Sequence, residues 1–352
     1  IDTIKGAWQA NKDAYSAATN TPNNTKLGEL LYSLAVVYTS QREQHKLAES
    51  IIDDAMQIFN YELFTKKPAP TEQHEDSLRQ HICECLMMKG MLHHTANRMN
   101  EAKQFFKQAL QIVEPLSERY RQTDTNDLPV NYCRDVGFVH IRLGEIISES
   151  NPDEAINLYK EAIEIMQRCQ DMKQVRHLLA ECHKEYGTYL FKQNEFKKAK
   201  DHLSKSYNLY SEMAVLDFDP DLGHVSRMLG DMLIPKNDYK QAMTFYDEAA
   251  GLMMLQEGVA DSNVKECLEL MRRTGDAMQK HLEEKQKKIE ALESGKVNTG
   301  NDGSRVVLRK DKLSGMKMNL ESERKFLAGM QQDATAKEKI LELKSKQQVA
   351  KQ

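Results

Sequence analysis

A small residue, a large apolar residue four positions later and a second small residue three positions after that recur along this chain of 352 residues. Offsets of four and seven place all three residues on one stripe of an α-helix. The small residues let a neighbouring helix approach closely, and the large residue fills the gap between the helices. The clear copies are Ala102–Phe106–Ala109, Ala155–Tyr159–Ala162 and Ala242–Tyr246–Ala249, and the weaker ones are Ala48–Ile52–Ala55 and Ala199–Leu203–Ser206.

A glycine stands 11 or 12 residues before each of four of these copies, at Gly90, Gly144, Gly187 and Gly230. An asparagine follows each glycine, and it lies four or five residues before the first alanine of the copy, at Asn97, Asn151, Asn194 and Asn237. Asparagine tolerates a left-handed backbone and caps helices, so it marks a turn between two helices. Each unit is therefore predicted to be a helix, a short turn and a second helix.

These marks resemble the tetratricopeptide repeat family, whose units carry Leu-Gly in the first helix and Ala, an aromatic residue and Ala in the second. The best match is Leu229-Gly230 with Ala242, Tyr246 and Ala249, and the resemblance covers roughly residues 25–255. It implies an all-α fold, a superhelix of helical hairpins (an α-solenoid) that ends in a C-terminal helical tail. Successive glycines lie 54, 43 and 43 residues apart, against a usual period of about 34. These longer repeats are similar in spacing to those of kinesin light chain-like adaptors.

Five segments are predicted along the chain. The repeat array of about five hairpins is flanked by a lead-in helix or partial repeat, and by a capping helix that covers the last apolar face. Glycine and asparagine then indicate a flexible linker, which leads to a basic amphipathic tail. The bounds are 1–24 for the lead-in, 25–260 for the array, 261–292 for the cap, 293–307 for the linker and 308–352 for the tail.

No motif in the sequence carries catalytic or metal chemistry. Asp217–Asp221 resembles the start of a calcium loop, but Leu222 and Met228 replace the required Gly and Glu. Gly295–Gly300 has the glycine spacing of a phosphate loop without its Lys-Ser/Thr pair. Cys83 and Cys85 lie on different sides of a helix, so they converge poorly with His93 and His94 on a metal. We therefore expect no enzyme activity, no cofactor and no metal.

The distribution of cysteines and of apolar residues indicates where in the cell the protein is expected. The six cysteines are scattered through helical patterns in a long chain, which indicates reduced, buried thiols rather than a disulfide framework. No stretch of about 18 apolar residues suggests a membrane span, and no signal peptide is visible. The expected location is cytoplasmic, with association to the cytoskeleton as an option.

The resemblance also implies where a partner binds, because the first helix of each repeat lines a concave groove. Counting from each glycine gives the groove residues Met87, Met91, His94, Ile141, Glu145, Ser148, Lys184, Thr188, Phe191, Arg227 and Asp231. The Lys, Asn and Arg set of the chaperone-binding carboxylate clamp is missing, so no clamp-type chaperone partner is expected. A peptide or amphipathic helix of a larger assembly fits this mixed groove better, with Lys184 and Arg227 together holding an acidic segment. Met87 and Met91 have a second interpretation, as gap-filling residues of a helix core.

The tail differs in charge from the rest of the chain. Residues 279–352 hold 17 Lys/Arg and 11 Asp/Glu, a net charge of +6, whereas the remainder carries a net charge of −10. A heptad-like apolar stripe runs through it, formed by Leu313, Met316, Leu320, Leu327 and Met330. The sequence favours docking of this helix on a partner over folding back onto the array. Nucleic acid is not expected as that partner, since Phe326 is the tail's single aromatic residue.

Taken with the absence of catalytic motifs, these features predict a non-catalytic protein–protein interaction scaffold or adaptor with a basic C-terminal docking arm. The alternative is a structural subunit of a large cytoskeletal or ciliary assembly.

Overall fold

The computed structural model describes residues 24–41, 44–65, 69–122, 128–169, 173–214, 220–255, 261–294 and 310–349. All regular structure in these residues is helical, which confirms the predicted all-α class. The predicted lead-in segment before residue 24, most of the glycine linker and Asp217–Asp219 lie outside the described residues.

Twelve α-helices occur in the described part of the chain, with one 3₁₀ turn, Ile234–Lys236, after the ninth. They are α1 (Asn24–Thr39), α2 (His45–Phe64), α3 (Glu72–Thr95), α4 (Met99–Gln122), α5 (Val130–Ile147), α6 (Pro152–Gln167), α7 (Lys173–Lys192), α8 (Phe196–Ala214), α9 (Pro220–Asp231), α10 (Tyr239–Leu255), α11 (Asp261–Glu293) and α12 (Lys310–Val349). The helices from α1 to α10 alternate as first and second members of hairpins.

The helices belong to two compact units, residues 1–185 and 186–352, whose boundary falls within α7. The first unit contains α1–α6 and the start of α7. In it, α1 packs on α2, and α3 and α5 each pack on their own second helix and on the second helix of the hairpin before. The second unit contains the end of α7 and α8–α12, where α9 packs on both α8 and α10.

The recurring glycine and the central apolar residue of each copy meet inside the hairpins. A Cβ atom on Gly90 would lie 2.5 Å from the Phe106 ring, and one on Gly230 would lie 2.7 Å from the Tyr246 ring. Phe106 and Tyr246 are themselves almost fully buried. Glycine is therefore required where the ring of the second helix presses on the first. The small residues of the stripes, such as Ala242, are also fully buried.

The turns follow from the asparagines. Asn97, Asn194 and Asn237 have φ values of 59°, 62° and 56°, in the left-handed region that asparagine tolerates. Asn151 has a different role, because its side chain accepts a hydrogen bond from the backbone N–H of Glu154 and so caps α6. The six cysteines are buried and form no disulfide.

The last hairpin of the second unit is covered by α11. Val264, Cys267, Leu268 and Met271 of this helix pack in one cluster with the buried face of α10. A helix is expected here because the apolar face of a terminal repeat has no following repeat to cover it. No helix among the described residues has the length and apolarity needed to cross a bilayer.

The tail differs from the expectation of a partner-facing arm. Helix α12 runs antiparallel to α11, and Leu320 and Leu327 are buried in a cluster with Met278, Leu282 and Ile289 of α11. Of the other stripe residues, Leu313 and Met330 are partly buried against the same cluster, whereas Met316 stays 39% exposed. The stripe thus lies against the second unit itself. The physical reason is that α11 presents a matching apolar stripe, which gives the amphipathic helix a surface within its own chain.

Basic residues of α12 also bind this unit. Lys337 Nζ donates to the Asp247 carbonyl oxygen at 2.9 Å and to its carboxylate, and Lys344 Nζ donates to the Met254 carbonyl oxygen at 3.0 Å. Lys285 of α11 pairs with Glu323 at 2.8 Å. Of these contacts, the pair of Lys337 with the Asp247 carboxylate joins a basic residue of the tail to an acidic residue of the array.

Candidate functional site

In the first unit, the half-exposed sides of the first helices form one polar surface, which we call the first-helix face. Its residues come from α1, α3, α5 and the part of α7 up to Glu185. They recur at spacings of three and four, as the exposed stripe of a helix must. The set is Glu29, Gln80, His81, Glu84, Met87, Met91, His94, Arg134, Phe138, Arg142, Glu145, Glu181, Lys184 and Glu185, together with Asp135, which is itself buried.

One row of contacts joins α3 to α5. Arg134 Nη2 donates to Glu84 Oε1 at 2.9 Å, and Arg134 Nε donates to Asp135 Oδ1 at 2.6 Å. Gln80 also donates to the Asp135 carboxylate. Toward α1, His81 Nε2 lies 3.5 Å from Glu29 Oε1. These side chains hold neighbouring first helices in register.

A second row joins α3, α5 and α7. Arg142 Nη1 donates to Glu145 Oε2 at 3.0 Å, and Arg142 Nη2 donates to Glu181 of α7. His94 Nε2 lies 3.9 Å from Glu145 Oε1. Lys184 Nζ lies 3.2 Å from Glu185 Oε1.

An apolar strip separates the two rows. Met87 and Met91 of α3 and Phe138 of α5 are half-buried there. The Arg142 guanidinium lies 5.1 Å from the centre of the Phe138 ring, a cation–π distance. Methionine side chains adapt to different shapes, so this strip can accept apolar groups of varied form.

The charge balance of the first-helix face is acidic. Six carboxylates belong to it, but Arg134, Arg142 and Lys184 are its three permanent cations. Burial raises the pKa of Asp135 to about 6, although Arg134 opposes the shift. Burial also raises the pKa of Glu185. An added cation would stabilise both carboxylates in their charged form.

Three further predicted groove residues lie in the second unit and are half-buried there: Thr188, Arg227 and Asp231. Thr188 Oγ1 donates to Met228 Sδ at 3.4 Å. Arg227 Nη1 donates to Glu266 Oε1 at 2.9 Å, and the Tyr246 hydroxyl donates to Asp231 Oδ1 at 2.7 Å. Burial raises the pKa of Asp231. All three are thus engaged in contacts within their own unit.

Two details of the sequence-based site change. Ile141 is fully buried, and Arg142, one residue later, is half-exposed instead. Successive residues of an α-helix are rotated by about 100° about its axis, so a residue at the edge of the exposed stripe is easily confused with its buried neighbour. Lys184 and Arg227 pair with Glu185 and Glu266, so an acidic segment that they bind together would have to compete with these two ion pairs.

Sequence reasoning missed Phe138, Arg134 and Asp135. The signal for Phe138 was present, because it lies seven residues before Glu145 on the same stripe. The pairing of Arg134 with Glu84, fifty residues away along the chain, carries no such local signal. Among the described residues no cluster of His, Cys, Asp and Glu has the arrangement of a metal site, and Cys83 and Cys85 are buried.

Comparison with known proteins identifies one repeat directly: residues 84–112, from the middle of α3 to the middle of α4, match the tetratricopeptide repeat model. A comparison with curated protein sequences gave no match.

Two solved structures are similar in fold. The crystal structure of BtubC (BKLC) from P. vanneervenii is 18% identical, with a TM-score of 0.54 over 73% of this chain and 92% of that one. A signal transduction ATPase with numerous domains from Pyrococcus horikoshii, PH0952, has a tetratricopeptide repeat sensor. It is 13% identical, with a TM-score of 0.51 over 89% of this chain. This chain matches 44% of that protein. Likeness at this level of identity concerns the fold alone.

Proposed function

We propose that this chain, which is a tetratricopeptide repeat protein, acts as a non-catalytic scaffold that binds a segment of a partner protein along its first-helix face. The observation that carries the proposal is the apolar strip of Met87, Met91 and Phe138 between two rows of charged side chains. Such a strip leaves apolar area in water that a partner side chain would cover. The flanking charges would fix the orientation of the bound segment.

The chemistry of the partner follows from the charge balance. Carboxylates outnumber the permanent cations of the face by six to three, so a segment with lysine or arginine beside apolar residues is favoured. Asp135 and Glu185 strengthen this preference, since burial of each carboxylate raises its pKa and a nearby cation offsets that cost. The segment would lie as an extended peptide or as an amphipathic helix.

In this proposal the C-terminal helix α12 does not bind the partner, although the sequence favoured that role. Because Leu320 and Leu327 are buried against α11, α12 serves as part of the second unit and not as the arm that captures the partner. Both the scaffold hypothesis and its alternative, a structural subunit of a large assembly, included such an arm in the sequence analysis, and the alternative stays a prediction.

A selection experiment tests the proposal with random peptides in place of the partner. Random peptides displayed on phage are selected on the full chain, and the recovered peptides are titrated against the wild type and Met91→Lys. We expect peptides that combine basic and apolar residues, and at least about tenfold weaker binding to Met91→Lys, which removes apolar contact and adds a like charge.

Met99→Lys is the matched control, because Met99 is 38% exposed at the start of α4 and does not belong to the first-helix face. Equal binding of the peptides to the two variants would place the site elsewhere. Recovery of acidic peptides would contradict the proposed partner chemistry.

A further inference from the structure

A second surface lies between the second helices α4 and α6 of the first unit. They flank a cleft of about 550 Å³ whose floor is α5. Tyr132, Val136 and His140 form that floor at successive spacings of four residues. They are displaced by two residues, about half a helical turn, from Arg134, Phe138 and Arg142. The cleft is therefore on the opposite side of α5 from the first-helix face.

The cleft combines an apolar interior with acidic walls. Leu110 of α4 and Ile165 of α6 line it together with Val136. Glu114 of α4 and Glu161 and Glu164 of α6 also line it, against one arginine, Arg168. Within the part of the chain that the structure describes, Glu114 and Glu164 make no ion pair or hydrogen bond and are exposed. Glu161 Oε2 lies 3.1 Å from His140 Nε2.

The second unit contains the same arrangement in a closed form. Glu248 stands one residue before Ala249, as Glu161 stands one before Ala162. Ser226 stands four before Gly230, as His140 stands four before Gly144. Ser226 Oγ donates to Glu248 Oε2 at 2.8 Å, which parallels the contact of His140 with Glu161.

A tyrosine completes the closed form. The Tyr207 hydroxyl of α8 donates to Glu248 Oε1 of α10 at 2.8 Å, and its ring packs edge-on against Phe245 at 5.8 Å. Tyr207 stands one residue after Ser206, and the residue at that place in α4, one after Ala109, is Leu110. Leucine has no hydroxyl, so α4 and α6 lack this bridge.

We infer that the α4–α6 cleft binds a lysine side chain of a partner segment. An ammonium group has three donors on a compact charge, and the cleft offers three carboxylates, Glu114, Glu161 and Glu164, to accept them. The methylene stem of the lysine lies on Leu110, Val136 and Ile165, as the stems of long charged side chains do on apolar surface. In the second unit, Glu248 occupies the place of Glu161 and accepts a hydrogen bond from a side chain of another helix, so this position of the repeat accommodates a donor from outside its own helix. This site is separate from the first-helix face and does not depend on its proposed role.

The probe for this site is a short fluorescein-labelled peptide of alternating lysine and leucine, titrated against the full chain by fluorescence anisotropy. The same peptide with acetylated lysines is the ligand control. We expect the acetylated peptide, and the unmodified peptide with the double variant Glu114→Gln/Glu164→Gln, to bind at least about tenfold more weakly. Glu118→Gln changes an exposed glutamate of α4 outside the cleft and should leave binding unchanged.

Leu110→Tyr provides the sharpest test. It places a tyrosine at the position that Tyr207 has in the second unit, so the ring should fill the cleft and abolish binding of the peptide while the helical content and thermal midpoint are kept. If Leu110→Tyr does not fold, the titration of Glu114→Gln/Glu164→Gln shows whether the peptide binds in the cleft.

Two results of the anisotropy titration would overturn the inference. One is that the wild type does not bind the peptide at millimolar concentration, and the other is that Leu110→Tyr and the wild type bind it with equal affinity. Loss of binding in Met91→Lys with full binding in Leu110→Tyr would place the peptide on the first-helix face. That outcome would remove this site while leaving the proposed function intact.

Discussion

Replacement of Gly230 by alanine tests whether the glycine of the hairpin is there for close packing. The new Cβ would lie 2.7 Å from Tyr246 Cε1, about 1 Å closer than an ordinary carbon–carbon contact. The ring has little freedom to move, because Tyr246 is 1% exposed and its hydroxyl donates to Asp231 Oδ1 at 2.7 Å. Overpacking of this kind costs about 1–3 kcal/mol of the free energy of unfolding.

Alanine also favours the helix over glycine by about 1 kcal/mol, which offsets part of that cost. Gly251→Ala in α10 removes this ambiguity. Its Cβ would meet only Lys337 Nζ at an ordinary 3.7 Å, so it gains the helix preference without the clash. We expect Gly251→Ala to be more stable than Gly230→Ala by about 1–3 kcal/mol. Urea unfolding followed by circular dichroism measures both variants, and equal midpoints would refute the packing role of Gly230.

Three further predictions concern the core, a buried carboxylate and the tail. Ala242→Leu should overpack a fully buried helix crossing and cost roughly 1–3 kcal/mol, and an unchanged thermal midpoint would contradict that placement. Because burial raises the pKa of Asp135 to about 6 in the folded protein, ionisation is easier in the unfolded chain. The free energy of unfolding of the wild type relative to Asp135→Asn should therefore fall by on the order of 3 kcal/mol as the pH rises from about 4 to about 7. Urea titrations of both proteins across this range measure the change, and a free-energy difference that stays constant with pH would rule the prediction out. The double change Leu320→Asp/Leu327→Asp should release α12 from α11 and expose it to limited proteolysis, whereas the exposed Met318→Asp should not; equal cleavage of the two would argue against the packing described.

Features with a local period were predictable from the sequence. The alanine stripes and the turn asparagines follow from helical spacing and from the backbone preferences of single residues. The structure accordingly has Ala155 fully buried and Asn97 at a positive φ.

Contacts between distant segments were not predictable in the same way. The heptad-like stripe of α12 was visible, but its partner could be recognised only by matching it to Met278, Leu282 and Ile289 of α11. Each stripe alone is compatible with any apolar surface.

The candidate sites also combine residues that local patterns predict with contacts between distant segments that they do not predict. Met87 and Met91 followed from their position relative to Gly90, whereas the acidic balance of the first-helix face depends on charges from four helices. Leu110 lines the α4–α6 cleft at the place that Tyr207 has in the second unit. The sequence shows that these two residues differ, but the consequence depends on the Tyr207–Glu248 hydrogen bond, which only the structure reveals.

The packing of α11 and α12 on α10 also decides where the array can grow. A further hairpin stacked directly after α10 would have to take the surface that Val264, Leu268 and Leu341 now cover. It would also displace the lysine contacts to the Asp247 and Met254 carbonyls. Lengthening by duplication, in nature or by design, must therefore insert new hairpins before Pro220, where the last hairpin begins, and leave the closing helices with that hairpin.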